Sequence, residues 1–220
     1  MTDVWSDRAQ AYVESDTHRE GSDLDLLVSW AEGKTALDVA TGGGHVARRL
    51  REKGFQVATL DPAPGMRADV LAPAEHIPFA DGSFDTVATR IAPHHFADIR
   101  GAVTEMARVA ARVVLIEDTL FDSEEVEEAE RLHDPTHVRS YSEQEWRSFL
   151  EEAGLTVEEV ELQPKRRDFA AWCERTGCTG PERERVRELL GNRVDGQGVY
   201  TDTKILIRAR ARPGSWARAS

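Results

Sequence analysis

The sequence predicts an α/β protein built on one doubly wound, mostly parallel sheet. Apolar segments typical of strands alternate with segments of helical periodicity over most of the chain. A glycine-rich turn joins the first strand to the next helix, which is the arrangement of a βαβ unit with parallel strands. At 220 residues, the chain has the size of one larger α/β domain rather than two small ones.

The elements follow in chain order from local patterns. Ser22 precedes Asp25 by three residues, which predicts a capped helix that ends near Gly33. The strand TALDVA at 35–40 leads through glycines into a second helix, and the strand FQVATL follows at 55–60. Later segments alternate in the same way. We predict strands at 84–89, 112–117, 156–162 and 203–210, and helices at 97–109, 142–153 and 181–190.

Composition narrows the classes of function. Lys and Arg total 28 against 40 Asp and Glu, which gives a net charge of −12 at pH 7. Because nucleic-acid binding depends on clustered Lys and Arg, this balance argues against such a partner. We find no signal pattern and no apolar run near the ~18 residues of a membrane span, so we expect a cytoplasmic protein. Cys173 and Cys178 could pair, but reduced thiols are favoured in that compartment.

The turn after the first strand carries the first indication of chemistry. In doubly wound sheets, ligands bind at the carboxyl ends of the strands. The glycines in Thr41-Gly42-Gly43-Gly44 let a ligand approach the backbone closely, and the next helix offers its unpaired N–H groups. Asp61 ends the second strand, where a carboxylate can accept both hydroxyls of a ribose. The turn and Asp61 together predict a nucleoside cofactor.

Asp38 helps to decide which nucleoside this is. The spacing Gly42-x-Gly44-x-x-Ala47, with an acid at Asp61, also satisfies the dinucleotide pattern and would indicate NAD. A carboxylate at the mouth of the turn repels a pyrophosphate, however, and suits a ligand that carries an amino group. S-adenosylmethionine has an ammonium group, a sulfonium and no phosphate. An NAD-dependent oxidoreductase remains the alternative.

Four segments of the chain resemble one enzyme family. LDVATGGGHVA resembles the first motif of the class I S-adenosylmethionine-dependent methyltransferases, with Ala40 in place of the first glycine. AEHIPFADGSFDTVATRIAPHHF at 74–96 resembles the next blocks of their small-molecule, ubiquinone-biosynthesis-like branch, methyltransferase type 11. HVRSYSEQEW at 137–146 and GVYTDTKILIRARA at 198–211 are similar to that branch as well.

The resemblance implies a Rossmann-like sheet of seven strands, mostly parallel with an antiparallel last strand. It also implies a single domain over 1–212, with a helical cap at about 1–33, and we expect a disordered tail at 213–220. Few residues separate Asp61 from Val70, so the usual helix and third strand should be shortened there.

The resemblance assigns roles to individual residues. Asp38 is expected near the ammonium group of S-adenosylmethionine, and Asp61 on the ribose hydroxyls. Pro73 stands where an aspartate often precedes the Ala-Glu pair that borders the adenine, which puts the contact to the adenine amino group in question. The expected cofactor-binding residues are Asp38, Ala40, Thr41, Gly42, Gly44, Asp61, Pro62, Ala74, Glu75, Arg90 and Ile91.

Methyl transfer from a sulfonium is a direct displacement, so it depends mainly on alignment. A general base is needed only if the accepting atom must lose a proton. His94 and His95 are the candidates, because histidine titrates near neutral pH; both could instead be structural or line the substrate. The expected substrate-lining residues are Tyr12, His18, Arg139 and Tyr141.

Several other groups favour structural interpretations. Lys165-Arg166-Arg167 is expected to form a solvated turn, which could steer an anionic substrate. His133, Asp134 and His137 favour a loop over a metal site, and no metal is expected. Phe169 and Trp172 have the spacing of one buried helix face. The sequence thus predicts methyl transfer from S-adenosylmethionine to a small molecule, with S-adenosylhomocysteine as product, or else a module that only binds the cofactor.

Overall fold

The structure is a computed structural model that describes residues 5–6 and 21–211. Tyr12, His18, most of the expected N-terminal cap and the tail at 213–220 lie outside these residues. The strands are β1 (Thr35–Val39), β2 (Gln56–Asp61), β3 (Val70–Leu71), β4 (Phe84–Arg90), β5 (Ala110–Thr119), β6 (Leu155–Asp168) and β7 (Val199–Ala211). The helices of more than one turn are α1 (Ser22–Ser29), α2 (His45–Glu52), α3 (Ile99–Val109), α4 (Glu124–His133), α5 (Glu143–Glu152), α6 (Phe169–Thr176) and α7 (Gly180–Leu190). Short 3-10 helices are Pro64–Met66, Pro93–His95 and Gly191–Arg193.

The seven strands form one sheet in the order β3-β2-β1-β4-β5-β7-β6. Every pair among β1 to β5 is parallel, whereas β7 runs antiparallel to both β5 and β6. The expected sheet with an antiparallel last strand is therefore confirmed. The chain reverses its direction of progress across the sheet between β1 and β4, and a crevice at such a switch point is where these sheets bind ligands.

The segment after β2 is shortened, as the spacing predicts. A single 3-10 turn at Pro64–Met66 replaces a full helix, and β3 is only two residues long. β3 forms one edge of the sheet, where Leu71 is 61% exposed.

The start of α1 differs from the expected capped helix. Gly21 is the N-cap residue with φ +149°, and no side chain caps the helix, because Ser22 already lies in its first turn. Asp23 is held inward by Arg90 and Lys165, which fixes how the chain enters the helix. The helix then ends at Ser29, earlier than predicted.

The expected turn at Lys165-Arg166-Arg167 is wrong. All three residues belong to β6, which pairs with β7 from Leu155–Ala211 through to Asp168–Val199. Hydrogen bonds to β7 extend the strand well past the alternating segment at 156–162. Because side chains alternate along a strand, Arg166 is 66% exposed whereas Arg167 is 11% exposed.

The core covers both faces of the sheet. Along β1, Leu37 and Val39 pack against one set of helices and strands, while Ala36 packs on the opposite side with α1 and α2. A third cluster joins α4, α6 and α7 through Phe169 and Trp172, which confirms their predicted place on a buried face. Among residues 5–6 and 21–211, no helix is long and apolar enough to cross a membrane.

Candidate active site

The main cavity lies at the carboxyl ends of β1, β2 and β4 and has a volume of about 280 Å³. Of the expected cofactor-binding residues, all but Gly44 line it. Gly44 is instead the N-cap of α2, with φ +73°. Other residues also contribute, among them His95 and Pro73, which were noted in the sequence for other reasons. The additional lining residues are Trp5, Gly43, His45, Val46, Met66, Pro73, Ala92, His95, Phe96 and Ala97.

The glycine turn between β1 and α2 opens toward this cavity. Gly42 has φ +50°, and Ala40 has φ +53° although it carries a Cβ. The amide of Thr41 donates to the carbonyl of Leu60 at 3.1 Å, which ties the turn to β2. A Cβ placed on Gly42 would meet no atom within 4 Å, so the backbone borders open space where a ligand can approach.

Asp38 is buried at the base of the turn. Its Oδ2 accepts hydrogen bonds from Thr41 Oγ1 at 2.6 Å and from the amide of Ala47 at 3.0 Å. Burial raises the pKa of Asp38 from 3.8 to about 6, and the nearby charge of Asp61 acts in the same direction. The carboxyl is thus held in one position, and it is mostly ionised above pH 6.

Asp61 connects the end of β2 to the glycine turn. Its Oδ2 accepts from the amide of Gly42 at 3.0 Å, and its Oδ1 accepts from the amide of Ala63 at 2.9 Å. The carboxylate is only 6% exposed. Asp61 therefore shapes the turn as well as lining the cavity.

The charge of the main cavity is mostly negative. Asp38, Asp61 and Glu75 line it, and Arg90 is the one Lys or Arg among its described lining residues. The guanidinium of Arg90 is held by Asp23 at 2.8 Å and Glu117 at 2.6 Å, and its side chain is 4% exposed. A pyrophosphate would meet net repulsion here, whereas a ligand with positive groups is favoured.

A second, smaller cavity of about 40 Å³ adjoins the first. Both cavities are lined by Ile91 and His95, so they meet at the carboxyl end of β4. Ile91 is β-branched yet has φ +51°, a conformation that costs on the order of 1–3 kcal/mol. Its amide donates to the carbonyl of Glu117 at 2.8 Å, which holds the backbone in this position.

His94 lines the second cavity and pairs with a buried carboxylate. Its Nδ1 lies 2.5 Å from Oδ1 of Asp118, a residue of β5 that is fully buried. Since a carboxylate accepts the hydrogen bond, Nδ1 carries the proton and Nε2 is the basic nitrogen. The arrangement is that of a general base oriented by an acid.

His95 lies between the two cavities. Its Nδ1 donates to the carbonyl of Thr136 at 3.0 Å, and its ring packs edge-on against Trp5 with centroids 4.6 Å apart. Burial lowers the pKa of His95 well below its usual value, and the neighbouring His94 lowers it further. His95 is therefore neutral near pH 7.

Other sequence candidates lie elsewhere. Arg139 pairs with Glu145 on the surface, and Tyr141 packs against Trp146 in the core, so neither lines either cavity. His133, Asp134 and His137 do line the second cavity. Across the described ranges, no three His, Cys, Asp or Glu side chains are arranged to hold a metal ion.

The contacts of Asp118 and Trp5 with the two candidate histidines were not predicted from the sequence. Asp118 follows directly after the apolar run RVVLIE, so its place at the end of a parallel strand was a usable signal. Trp5 contacts His95 across a large sequence separation, and no local pattern predicts that contact.

Comparisons with known proteins identify the family. A family model described as a methyltransferase domain matches residues 37–113. The uncharacterised methyltransferase YcgJ of Bacillus subtilis is 31% identical over 218 residues, which cover 87% of this chain and 85% of that protein. The demethylmenaquinone methyltransferase of Thermus thermophilus is 36% identical over 113 residues, which cover 43% of this chain and 51% of that enzyme.

Solved structures agree with this relationship. The crystal structure of Bacillus subtilis YcgJ superimposes with a TM-score of 0.77 at 26% identity, covering 87% of this chain and 99% of that one. A candidate methyltransferase from Bacillus halodurans gives a TM-score of 0.76 at 29% identity, covering 88% and 100%. The chain therefore belongs to the S-adenosylmethionine-dependent methyltransferases, in the group called methyltransferase type 11.

Proposed function

We propose that the protein transfers a methyl group from S-adenosylmethionine to a small-molecule acceptor by direct displacement. The observation that carries this proposal is the junction of two cavities at Ile91 and His95, one acidic and lined by the glycine turn, the other polar and lined by His94. When bound, S-adenosylmethionine supplies a methyl group on a positively charged sulfur. Family membership supports the reaction type.

The main cavity suits this cofactor in shape and charge. The open backbone at Gly42 accommodates the methionine portion, and the carboxylate of Asp38 attracts its ammonium group. Asp61 would hold the ribose hydroxyls, and Ala74 with Glu75 would border the adenine. Each charged hydrogen bond of this kind contributes about 1.5–3 kcal/mol. The negative lining disfavours the pyrophosphate of NAD.

His94 is the proposed general base wherever the accepting atom must lose a proton. The carboxylate of Asp118 fixes its tautomer and would stabilise the imidazolium that forms. His95, being neutral and shared by both cavities, positions the acceptor beside the cofactor.

The small-molecule acceptor follows from the size of the second cavity and from the net charge of −12, which opposes a nucleic-acid substrate. We propose that the protein works in the cytoplasm, where the unpaired thiols of Cys173 and Cys178 would persist.

Calorimetric titration with S-adenosylhomocysteine and with NADH tests the cofactor. We expect binding of the first and none of the second, and the reverse result would show an oxidoreductase. A metabolite screen with S-adenosylmethionine carrying a deuterated methyl group then tests the transfer by mass spectrometry. Binding without transfer to any acceptor would show a cofactor-binding module.

A further inference from the structure

We infer that the second cavity binds an anionic group of the acceptor, of the size of a carboxylate. This inference rests on the proposed methyl transfer and adds the chemical class of the substrate. The cavity lies next to the main cavity and includes His94, so a group bound there places the rest of the acceptor at the junction of the two cavities.

Basic side chains converge on this small space. Lys165 and Arg167 come from β6, Lys204 from β7 and Arg175 from α6. The whole chain contains only four lysines, at positions 34, 53, 165 and 204, so half of them line one cavity of about 40 Å³. In a protein of net charge −12, this is a local concentration of basic side chains.

The carboxylates around these cations are shared. Asp202 pairs with both Arg167 at 2.5 Å and Lys204 at 2.9 Å. Asp23 pairs with Lys165 at 2.8 Å and also with Arg90. Each of these two carboxylates therefore forms ion pairs with two cations.

The two carboxylates that line the cavity accept hydrogen bonds from uncharged hydroxyl groups. Glu130 accepts from the hydroxyl of Tyr200 at 3.1 Å, and Asp134 accepts from the hydroxyl of Thr136 at 2.7 Å. Together with Asp202 and Asp23, these two acids match the four cations in number, so the preference for an anion depends on hydrogen-bond donors that lack an acceptor.

Arg167 has a buried N–H group that lacks an acceptor among the described residues. Its side chain is 11% exposed, and its Nε has no hydrogen-bond partner within the described part of the chain. A buried N–H of a guanidinium is costly to leave without an acceptor, and its fork geometry matches a carboxylate. Replacing buried ion pairs by apolar residues is often neutral or stabilising, so stability alone does not account for this cluster.

The volume limits the anionic group. One buried water needs a cavity of roughly 10–15 Å³, so a cavity of about 40 Å³ has room for about three waters. That space fits a carboxylate but leaves the body of the acceptor outside. The body would then extend past His95 and Ile91, which brings the accepting atom toward the main cavity and His94.

The matched pair benzoate and benzamide tests the inference, because the two differ in charge but hardly in shape. We would titrate each into the protein saturated with S-adenosylhomocysteine and follow the histidine ring signals by ¹H–¹⁵N NMR. We expect benzoate to bind at least tenfold more tightly and to shift the signals of His94, His95 and His133. Inorganic phosphate, whose four tetrahedral oxygens need more room than a carboxylate group, should bind more weakly than benzoate.

Arg167→Gln should reduce the benzoate preference to near one. Arg166→Gln is the matched control, since Arg166 is the exposed neighbour on the same strand and should keep the preference. The melting temperature of each variant shows whether it is folded. The comparison of benzoate with benzamide on the wild-type protein tests the inference even if a variant does not fold. Equal affinity for benzoate and benzamide would overturn the anion site alone, whereas failure to bind S-adenosylhomocysteine would overturn the proposed function.

Discussion

His94 Nδ1 and Asp118 Oδ1 lie 2.5 Å apart, at the carboxyl ends of the neighbouring strands β4 and β5. The two residues are 24 positions apart in the sequence, and the parallel pairing of β4 with β5 brings them together. The buried carboxylate leaves Nε2 as the basic nitrogen of His94, which lines the second cavity.

Replacing Asp118 should impair a proton-removing step without affecting the cofactor. Asp118→Asn removes the charge that stabilises the imidazolium, so we expect kcat to fall by about 10²–10⁴-fold for an acceptor that must lose a proton. The affinity for S-adenosylhomocysteine should stay the same. ¹⁵N NMR should also show that His94 no longer carries its proton predominantly on Nδ1. Asp122→Asn, an exposed acid that pairs with Arg193, is the control, and an unchanged kcat in Asp118→Asn would contradict the role of His94.

Asp61→Ala should weaken cofactor binding by about tenfold to a hundredfold, which corresponds to the loss of one charged hydrogen bond of about 1.5–3 kcal/mol. Titration calorimetry with S-adenosylhomocysteine measures this change. The substitution also removes the acceptor for the amides of Gly42 and Ala63. Asp69→Ala is a matched control, since Asp69 accepts from the amide and hydroxyl of Thr59 outside the cavity. Similar losses of affinity in both variants would mean that the effect is structural.

Asp38→Asn should stabilise the ligand-free protein at high pH. Folding raises the pKa of Asp38 from 3.8 to about 6, so its contribution to stability is complete below pH 4 and is lost as the pH rises through 6. A shift of about two pKa units corresponds to about 3 kcal/mol. Between pH 4 and 8, the free energy of unfolding measured in urea should rise in the variant relative to the wild type by up to about 3 kcal/mol. The affinity of the variant for S-adenosylhomocysteine should fall.

Asp85→Asn provides a comparison of opposite sign. Backbone hydrogen bonds from Lys34 and Thr35 hold the pKa of Asp85 at about 2, below its usual 3.8. Its stabilisation is therefore present above pH 4 and is lost as the pH falls through 2. The free energy of unfolding of the wild type should exceed that of this variant most at neutral pH. If stability changes with pH in the same direction in Asp38→Asn and Asp85→Asn, the raised pKa of Asp38 is refuted.

Ala40→Gly should stabilise the fold by about 0.5–1 kcal/mol, because Ala40 adopts φ +53° and glycine takes that conformation without strain. Chemical unfolding of both proteins measures the change. Ala58→Gly is the control, since Ala58 lies in β2 with extended backbone. This variant should lose a similar amount of unfolding free energy, because glycine is more flexible in the unfolded chain. Destabilisation by both substitutions would show that the side chain of Ala40 contributes more than its strain costs.

The residues that line the main cavity could be predicted from the sequence because their signals are local. The glycine turn, Asp38 and Asp61 lie within one βαβ unit, and the order of elements follows from periodicity. The missing helix after β2 was visible as a short spacing between Asp61 and Val70. Most of the expected cofactor-binding residues line one cavity.

The second cavity was not readable in this way, since distant segments build it. Lys165 and Arg167 look like part of a polar turn until the pairing with β7 turns alternate side chains inward. The contact between Asp23 and Arg90 spans 67 positions, and it decides how α1 begins. Such contacts depend on tertiary structure, which outweighs local propensity.

The two cavities divide the chain at about residue 95. Apart from Trp5, every described residue of the main cavity lies between Asp38 and Ala97, within a stretch that largely coincides with the family match at 37–113. The second cavity takes most of its lining from residues 119–204. With the proposed roles of the two cavities, cofactor use and acceptor choice can diverge independently in evolution. A chimera that joins this N-terminal half to a relative's C-terminal segment should keep the methyl donor and acquire that relative's acceptor.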